Sequence, residues 1–407
     1  MTPGARVQAA IEVIDLWTAR GPDGPGLDRV LADWGRRSRF AGSGDRRAVA
    51  DHVYGAVRRL RSALWQAGAG AVEHPPTHTA PPGRLAMIGS LRLDRTDPVT
   101  VFTGLGHAPA PLSEAELVAL QPGGLDDAPR GVWLDVPDWL LAEGHLGSLP
   151  IPALERLRHR APLHLRTNTL RATREVARDV LAAEGIETIA GPLSPTCLTV
   201  MTGDRRLASA TAYSDGLVEI QDAASQAVAD LAEARPGMRI LDLCAGAGGK
   251  TLAMAAMAEN ASDIVAHDID PARLAQLAPR AIRAGAKIRA EPDAEALPCD
   301  NDLVVVDAPC SGSGAWARNP DAKWRLTPAR LTELTQLQSD LLDRASRFVR
   351  PGGRILYATC SLISLENARI VDSFLAKAHA FTLTSTHHWT PLDGGDGFFA
   401  ACFTASS

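Results

Sequence analysis

The chain has 407 residues, 45% apolar and 22% charged, an ordinary globular composition that excludes disordered, collagen-like and disulfide-scaffold classes. Its formal net charge of −5, from 42 basic and 47 acidic side chains, is the wrong sign, taken whole, for a protein that coats nucleic acid. The six cysteines are widely spaced with no C-x-x-C pair, no apolar run approaches the roughly 18 residues of a membrane span, and no basic-then-apolar segment opens the chain, which together imply a reducing cytoplasm and thiols available for chemistry.

Residues 5–70 read as helices, with Val7, Ile11 and Ile14, then Leu27, Val30, Leu31 and Trp34, then Val49, Val53, Val57, Leu60 and Leu64 at helical spacing. Four prolines in 68–83 break the pattern, and apolar runs resume at 84–92 and 99–105. Residues 1–130 are expected to form a small helical domain. Residues 163–201 read as a small α+β unit: a strand at 163–168, a helix at 172–184, and β-like stretches near 187–190 and 197–201. Charge is uneven along this half. Residues 1–100 carry 14 basic and 10 acidic side chains, residues 101–150 carry 1 and 7, and residues 156–178 hold seven arginines against Glu175.

From Met238 onward strands alternate with helices. RILDLC (239–244) is an apolar strand, DIVAHD (263–268) the next and KIRAEP a short one; LVVVDAPC (303–310) is a near-continuous apolar run of the buried parallel type, a long helix spans about 328–349, and Pro351-Gly352-Gly353 turns into RILYATC (354–360), again a buried strand. The pattern predicts a doubly wound, mostly parallel sheet.

Three sites stand at the carboxyl ends of these strands, where open α/β sheets bind ligands. The first is Cys244-Ala245-Gly246-Ala247-Gly248-Gly249-Lys250-Thr251. The P-loop template fails because its first glycine falls on Cys244, and the dinucleotide template fails because its third falls on Thr251. A nucleotide-like ligand is still expected, because Asp268 ends the second strand, where an acid binds ribose hydroxyls. The second is Asp307-Ala-Pro-Cys310, with an ionisable group after three valines. The third is Tyr357-Ala-Thr-Cys360-Ser361, with Ser361 or Ser364 as the expected cap of the following helix and Cys360 as a thiol activated by that helix terminus. If the two cysteine-bearing strands are neighbours, both thiols face one cleft and suggest covalent catalysis. The spacing of Cys and His does not suit zinc, so no metal is expected, and His387-His388 reads as structural or surface.

LDLCAGAGGKT (241–251), HDIDPARL (267–274), VVDAPCSGSG (306–314), DAKW (321–324), YATCS (357–361) and DGFF (396–399), with LRTNTLR (165–171) and IQDAASQ (220–226) upstream, resemble the Nol/Nop/Sun-type RNA (cytosine-5)-methyltransferases. Residues 43–61 more loosely resemble the NusB-like helical domain of the bacterial 16S rRNA methyltransferase B group. The resemblance implies a Rossmann-like domain at 235–407 dependent on S-adenosylmethionine, an α+β RNA-binding subdomain and linker at 131–234, and an all-α NusB-like domain at 1–130. It implies cofactor contacts from residues 244–250, Asp268, Asp293 and Asp307. Cys360 would be the nucleophile toward carbon 6 of cytosine, Cys310 would assist elimination, Asp307 would hydrogen-bond near ring nitrogen 3, and Lys323 would contact base or phosphate. The implied substrate is small-subunit rRNA, with tRNA as the alternative. A DNA cytosine methyltransferase would instead place its nucleophile at Cys310, and a non-catalytic RNA-binding or assembly factor is a further reading. Trp316 and Trp324 are expected as stacking platforms for unstacked bases, and Arg156 to Arg178 as phosphate contacts.

Overall fold

A computed structural model describes residues 1–72, 82–120 and 124–407. Most of the proline-rich stretch at 68–83, namely 73–81, lies outside the described residues. The chain forms two compact units: Met1–Arg160 with Trp316–Thr327, and Ala161–Ala315 with Pro328–Ser407. The expected division at 130 and 234 therefore does not follow these borders, and stands as a proposal about separate functional segments. No helix among the described residues is long and apolar enough to cross a membrane.

The first unit is helical, built on Pro3–Thr18, Leu27–Arg37, Ser43–Arg58, Leu60–Gln66 and Gly83–Leu93, with a short helix as late as Ile151–Arg156. Its core collects the apolar positions at helical spacing, including Val7, Ile14, Val30, Val49, Val53, Val57 and Leu64. Trp324 joins this core, and its indole N–H donates to the Val57 carbonyl at 2.7 Å. Leu27 donates its amide to Asp321 at 3.1 Å. The unit also buries charge. Arg61, 2% exposed, binds Asp138 at 2.7 and 2.9 Å, and Asp135 accepts from Ser62 and from Arg158 at 2.8 Å.

The second unit holds two sheets. The smaller has β1 (Leu163–Thr167), β2 (Glu187–Ala190), β3 (Cys197–Thr202) and β4 (Val218–Ile220) in the order β2-β3-β1-β4, all antiparallel. The strand at 218–220 was not among the sequence expectations, because three residues show no alternation. The larger has β5 (Arg239–Asp242), β6 (Asp263–Ala266), β7 (Arg289–Ala290), β8 (Asn301–Asp307), β9 (Val349–Thr359), β10 (Phe381–Trp389) and β11 (Phe398–Ala405) in the order β10-β11-β9-β8-β5-β6-β7. Strands β5 to β9 are parallel; β5, β6, β8 and β9 are largely buried, as their apolar runs require, the two-residue edge strand β7 is exposed, and β10 and β11 form an antiparallel edge. β9 begins at Val349 and carries Pro351-Gly352-Gly353 inside it, with a register shift against β8, so this tripeptide is not the turn ahead of the strand that the sequence implied. This C-terminal hairpin is not among the strands read from the sequence; its β10 residues His387 and Trp389 stack with ring centroids 5.7 Å apart. Asn168 ties the two sheets, donating to the Gly216 and Ala284 carbonyls at 2.8 Å.

Candidate active site

Adjacency of β5, β8 and β9 puts three loops side by side at the carboxyl end of the large sheet. After β5 the chain makes a tight turn into the helix Gly249–Met257. Gly248 caps that helix at φ +83°, a left-handed conformation, and a Cβ there would run into Leu277. The Gly246 amide donates to Asp268 at 2.7 Å, and the other Asp268 oxygen accepts from the Asp270 amide at 2.9 Å. Asp268, 5% exposed at the end of β6, thus braces the turn. Arg280 braces it from another side, donating to the Ala247 carbonyl at 2.7 Å and to Glu219 of β4 at 3.0 Å. Cys244 is half-buried, and burial pushes its thiol up. Asp293 is exposed beyond β7, where it caps a short turn by accepting from the Glu295 amide at 2.9 Å.

Behind the turn lies a chain of charges. Lys250 reaches Asp307, at the end of β8, at 2.6 Å, with its ammonium 5.2 Å from the centroid of the Phe398 ring. Thr251 donates to Asp242 at 2.6 Å. Asp242 is buried, and burial, reinforced by the charge of Asp307, pushes its carboxyl up to about 6.

The two thiols meet. Cys310 and Cys360 are both free and half-buried, with sulfurs 3.3 Å apart, because β8 and β9 pair in parallel with Asp307 opposite Ala358. The Cys310 thiol is held well above its ordinary pKa, first by its hydrogen bond with Cys360 and then by burial. The loops carrying them are tied directly, the Gly314 amide donating to the Cys360 carbonyl at 3.0 Å, and Gly397 ahead of β11 closes on the first of them: it donates to the Gly314 carbonyl at 3.0 Å, and a Cβ on Gly314 would collide with the Gly397 carbonyl.

The geometry brings together Cys310, Cys360, Asp307, Lys250 and the turn at 244–249, and sets Asp268 against that turn. Lys323 belongs to the helical unit. It is 1% exposed, donates to the Arg58 carbonyl at 3.2 Å, and lies 4.6 Å from the Trp324 ring centroid; burial lowers its pKa to about 7. Trp316 and Trp324 are 0% and 4% exposed, so the expectation that they stack on bases is overturned by their packing. The helix after β9 begins at Ala368, eight residues past Cys360, with Asn367 at its cap. Neither Ser361 nor Ser364 caps it, and Cys360 does not sit at its terminus. The arginine-rich segment is also not one surface. Arg166 is buried against Gln221 at 2.6 Å, Arg158 is paired with Asp135, and the segment crosses from one compact unit to the other at Arg160.

A mostly parallel seven-stranded sheet with a glycine turn after one strand, an acid ending the next and reactive side chains ending two more defines the Rossmann-like methyltransferase fold. Two solved structures share it: PH0851, with TM-score 0.74 and 24% identity over 99% of both chains, and a methyltransferase homologue from Pyrococcus horikoshii, with TM-score 0.60 and 22% identity over 70% of this chain and 100% of that one. Within that class, residues 229–403 match the family described as 16S rRNA methyltransferase RsmB/F. It is 34% identical over 291 residues to the ribosomal RNA small subunit methyltransferase B of Pectobacterium carotovorum subsp. carotovorum. That alignment covers 65% of this chain and spans 65% of the relative's length.

Proposed function

We propose that the protein is an S-adenosylmethionine-dependent RNA methyltransferase that forms 5-methylcytosine in small-subunit rRNA. The observation that carries the reading is the pair of free thiols 3.3 Å apart beside Asp307 and the glycine turn. The match of residues 229–403 to the RsmB/F family and the similarity to small-subunit methyltransferase B support the substrate class.

The residues present fit the cofactor. The turn at 244–249 brings glycine backbone at Gly246, Gly248 and Gly249 to the N-terminus of the helix Gly249–Met257, and the two oxygens of Asp268 each keep an acceptor position beyond the amide they already hold. When bound, S-adenosylmethionine supplies an electrophilic methyl group on a sulfonium. Residues 244–250 and Asp268 hold it, and Asp293 is the proposed contact toward the adenine.

Carbon 5 of cytosine is a poor nucleophile. Thiolate addition from Cys360 to carbon 6 breaks the carbon 5–carbon 6 double bond and makes an enamine nucleophilic at carbon 5; ring nitrogen 3 takes up a proton from solvent as the adduct forms and donates it in a hydrogen bond to the Asp307 carboxylate. The Lys250–Asp307 pair fixes the carboxylate for that contact. After methylation, loss of the carbon-5 proton to water re-forms the double bond, expels Cys360 and restores the aromatic ring. Cys310, held protonated beside Cys360, assists that departure by donating to the leaving sulfur. The target base has to leave its stack to reach such a site.

The test is incubation with labelled cofactor and 16S rRNA, tRNA or small subunits, followed by nucleoside analysis and bisulfite mapping. Labelled 5-methylcytosine in 16S rRNA is expected. Label confined to tRNA would move the substrate, and cofactor binding with no methylated nucleoside in any RNA would leave an assembly factor.

A further inference from the structure

Each cysteine is followed by a serine, and both serines end on one buried carboxylate. Glu366 is 0% exposed, in the short turn Ser364–Glu366. One of its oxygens accepts from the Ser311 amide at 2.7 Å and from the Gln338 side-chain amide at 3.0 Å. The other accepts the hydroxyls of Ser311 and Ser361. Gln338 also donates to the Pro309 carbonyl at 2.9 Å, just ahead of Cys310. The Tyr357 hydroxyl donates to the Glu366 carbonyl at 2.7 Å, which fixes the turn to β9.

These four donors to the carboxylate are uncharged, and burying a carboxylate among them is costly compared with an apolar filling of the same volume. What it does is mechanical: one rigid acceptor spans two loops 50 residues apart in sequence. We propose that Glu366 is a positioning residue that holds the Cys310 and Cys360 thiols in contact, so that addition and departure at one carbon are served without rearrangement. It touches neither base nor cofactor. The catalytic consequence rests on the methyltransferase reading above, but the clamp itself does not. Its charge also adds to the hydrogen bond and burial that hold the Cys310 thiol up.

The test uses the full chain and three readouts. The first is the rate at which diamide closes the Cys310–Cys360 disulfide, the two thiols giving up two electrons and two protons to reduce diamide to the hydrazine. The second is peptide-resolved iodoacetamide alkylation of Cys310 against pH. The third is kcat and KM for methylation of 16S rRNA. Glu366→Ala is expected to slow disulfide closure about tenfold and lower kcat about 100-fold with KM little changed, since small misplacements of reacting groups have effects of that size. Glu366→Gln keeps the shape without the charge. It is expected to cross-link within about threefold of the parent, and to start alkylating at lower pH because a negative charge near the thiol is gone. Should Glu366→Ala fail to fold, Glu366→Asp takes its place: the charge stays, the reach shortens, closure slows and the alkylation profile holds. Unchanged disulfide closure in a folded Ala or Asp variant, or an unchanged alkylation profile in the Gln variant, overturns the proposal. If the parent itself methylates no RNA, the functional reading falls, while the first two readouts still decide the clamp.

Discussion

The two halves of the site are built by different means. The half proposed to hold the cofactor is local: the turn from Leu243 to Lys250 takes its shape from Gly246 and Gly248, and Asp268 and Arg280 brace it from outside. The thiol half is non-local. Cys310 and Cys360 sit on separate strands, and their contact depends on sheet order, on the Gly314–Gly397 approach and on Glu366 underneath. A local half fails in proportion to the damage to its own backbone, whereas a non-local half fails when a distant support is lost.

The sharpest break of this contrast is at the proposed nucleophile. Cys360→Ala is expected to abolish both methyl transfer and covalent trapping on RNA carrying 5-fluorocytosine, seen as loss of a gel-shifted adduct. Cys310→Ala is expected to keep that adduct and to accumulate one on ordinary cytosine as well, because addition survives and departure slows. The opposite pattern would exchange the roles of the two loops.

Next in size is the local half. Gly248→Val forces a β-branched residue into φ +83° and drives its side chain into Leu277. Backbone strain and overpacking together are expected to remove about 3 kcal/mol of stability. A urea midpoint measures this, and calorimetric cofactor affinity should collapse with it while the diamide closure rate of the thiols stays near the parent value.

A pH experiment probes the joint between the halves. Asp242 has its carboxyl raised to about 6 in the folded chain, above an ordinary value of 3.8, through burial and the charge of Asp307. The folded state then binds the proton more tightly than the unfolded chain, so this group removes stability as pH rises from about 4 to about 6 and continues to weigh against folding above that. Asp242→Asn is expected to relieve up to about 3 kcal/mol at pH 8 and almost nothing at pH 3.5. Chemical denaturation at the two pH values checks the sign.

The smallest effect is expected at Arg280, which links Glu219 of the small sheet to the Ala247 carbonyl. Arg280→Ala should weaken cofactor binding about fivefold, since it removes one partly exposed charge-assisted hydrogen bond of about 1 kcal/mol. Thiol cross-linking should not respond.

The sequence made the first half legible because its determinants are contiguous. A glycine turn between an apolar strand and a helix, with an acid ending the next strand, is a pattern within thirty residues, and the structure has Gly246 bound to Asp268. The strands of the parallel sheet were legible for the same reason. The second half was legible only as a condition: two cysteines at strand ends face one cleft if the strands are neighbours, and β8 and β9 are. Glu366 was not found, because in SLISLENA it looks like an ordinary first-turn acid of a helix, and nothing local marks it as the acceptor for Ser311. The burial of Trp316 and Trp324 was not legible for a related reason. They follow the Cys310 loop in sequence, and only the fold shows that their stretch is packed into the helical unit.

That excursion, Trp316 to Thr327, bears on how the protein is made. Trp324 is part of the helical core, and Asp321 caps the amide of Leu27. The N-terminal helices therefore cannot complete their interior while they emerge from the ribosome, although domains usually fold in order of synthesis. They wait until residue 327 is clear of the exit tunnel, by which time β5 to β8 have also appeared. A pulse-labelled nascent chain stalled near residue 230 should be protease-sensitive in its first 160 residues, and one stalled well beyond 327 should resist.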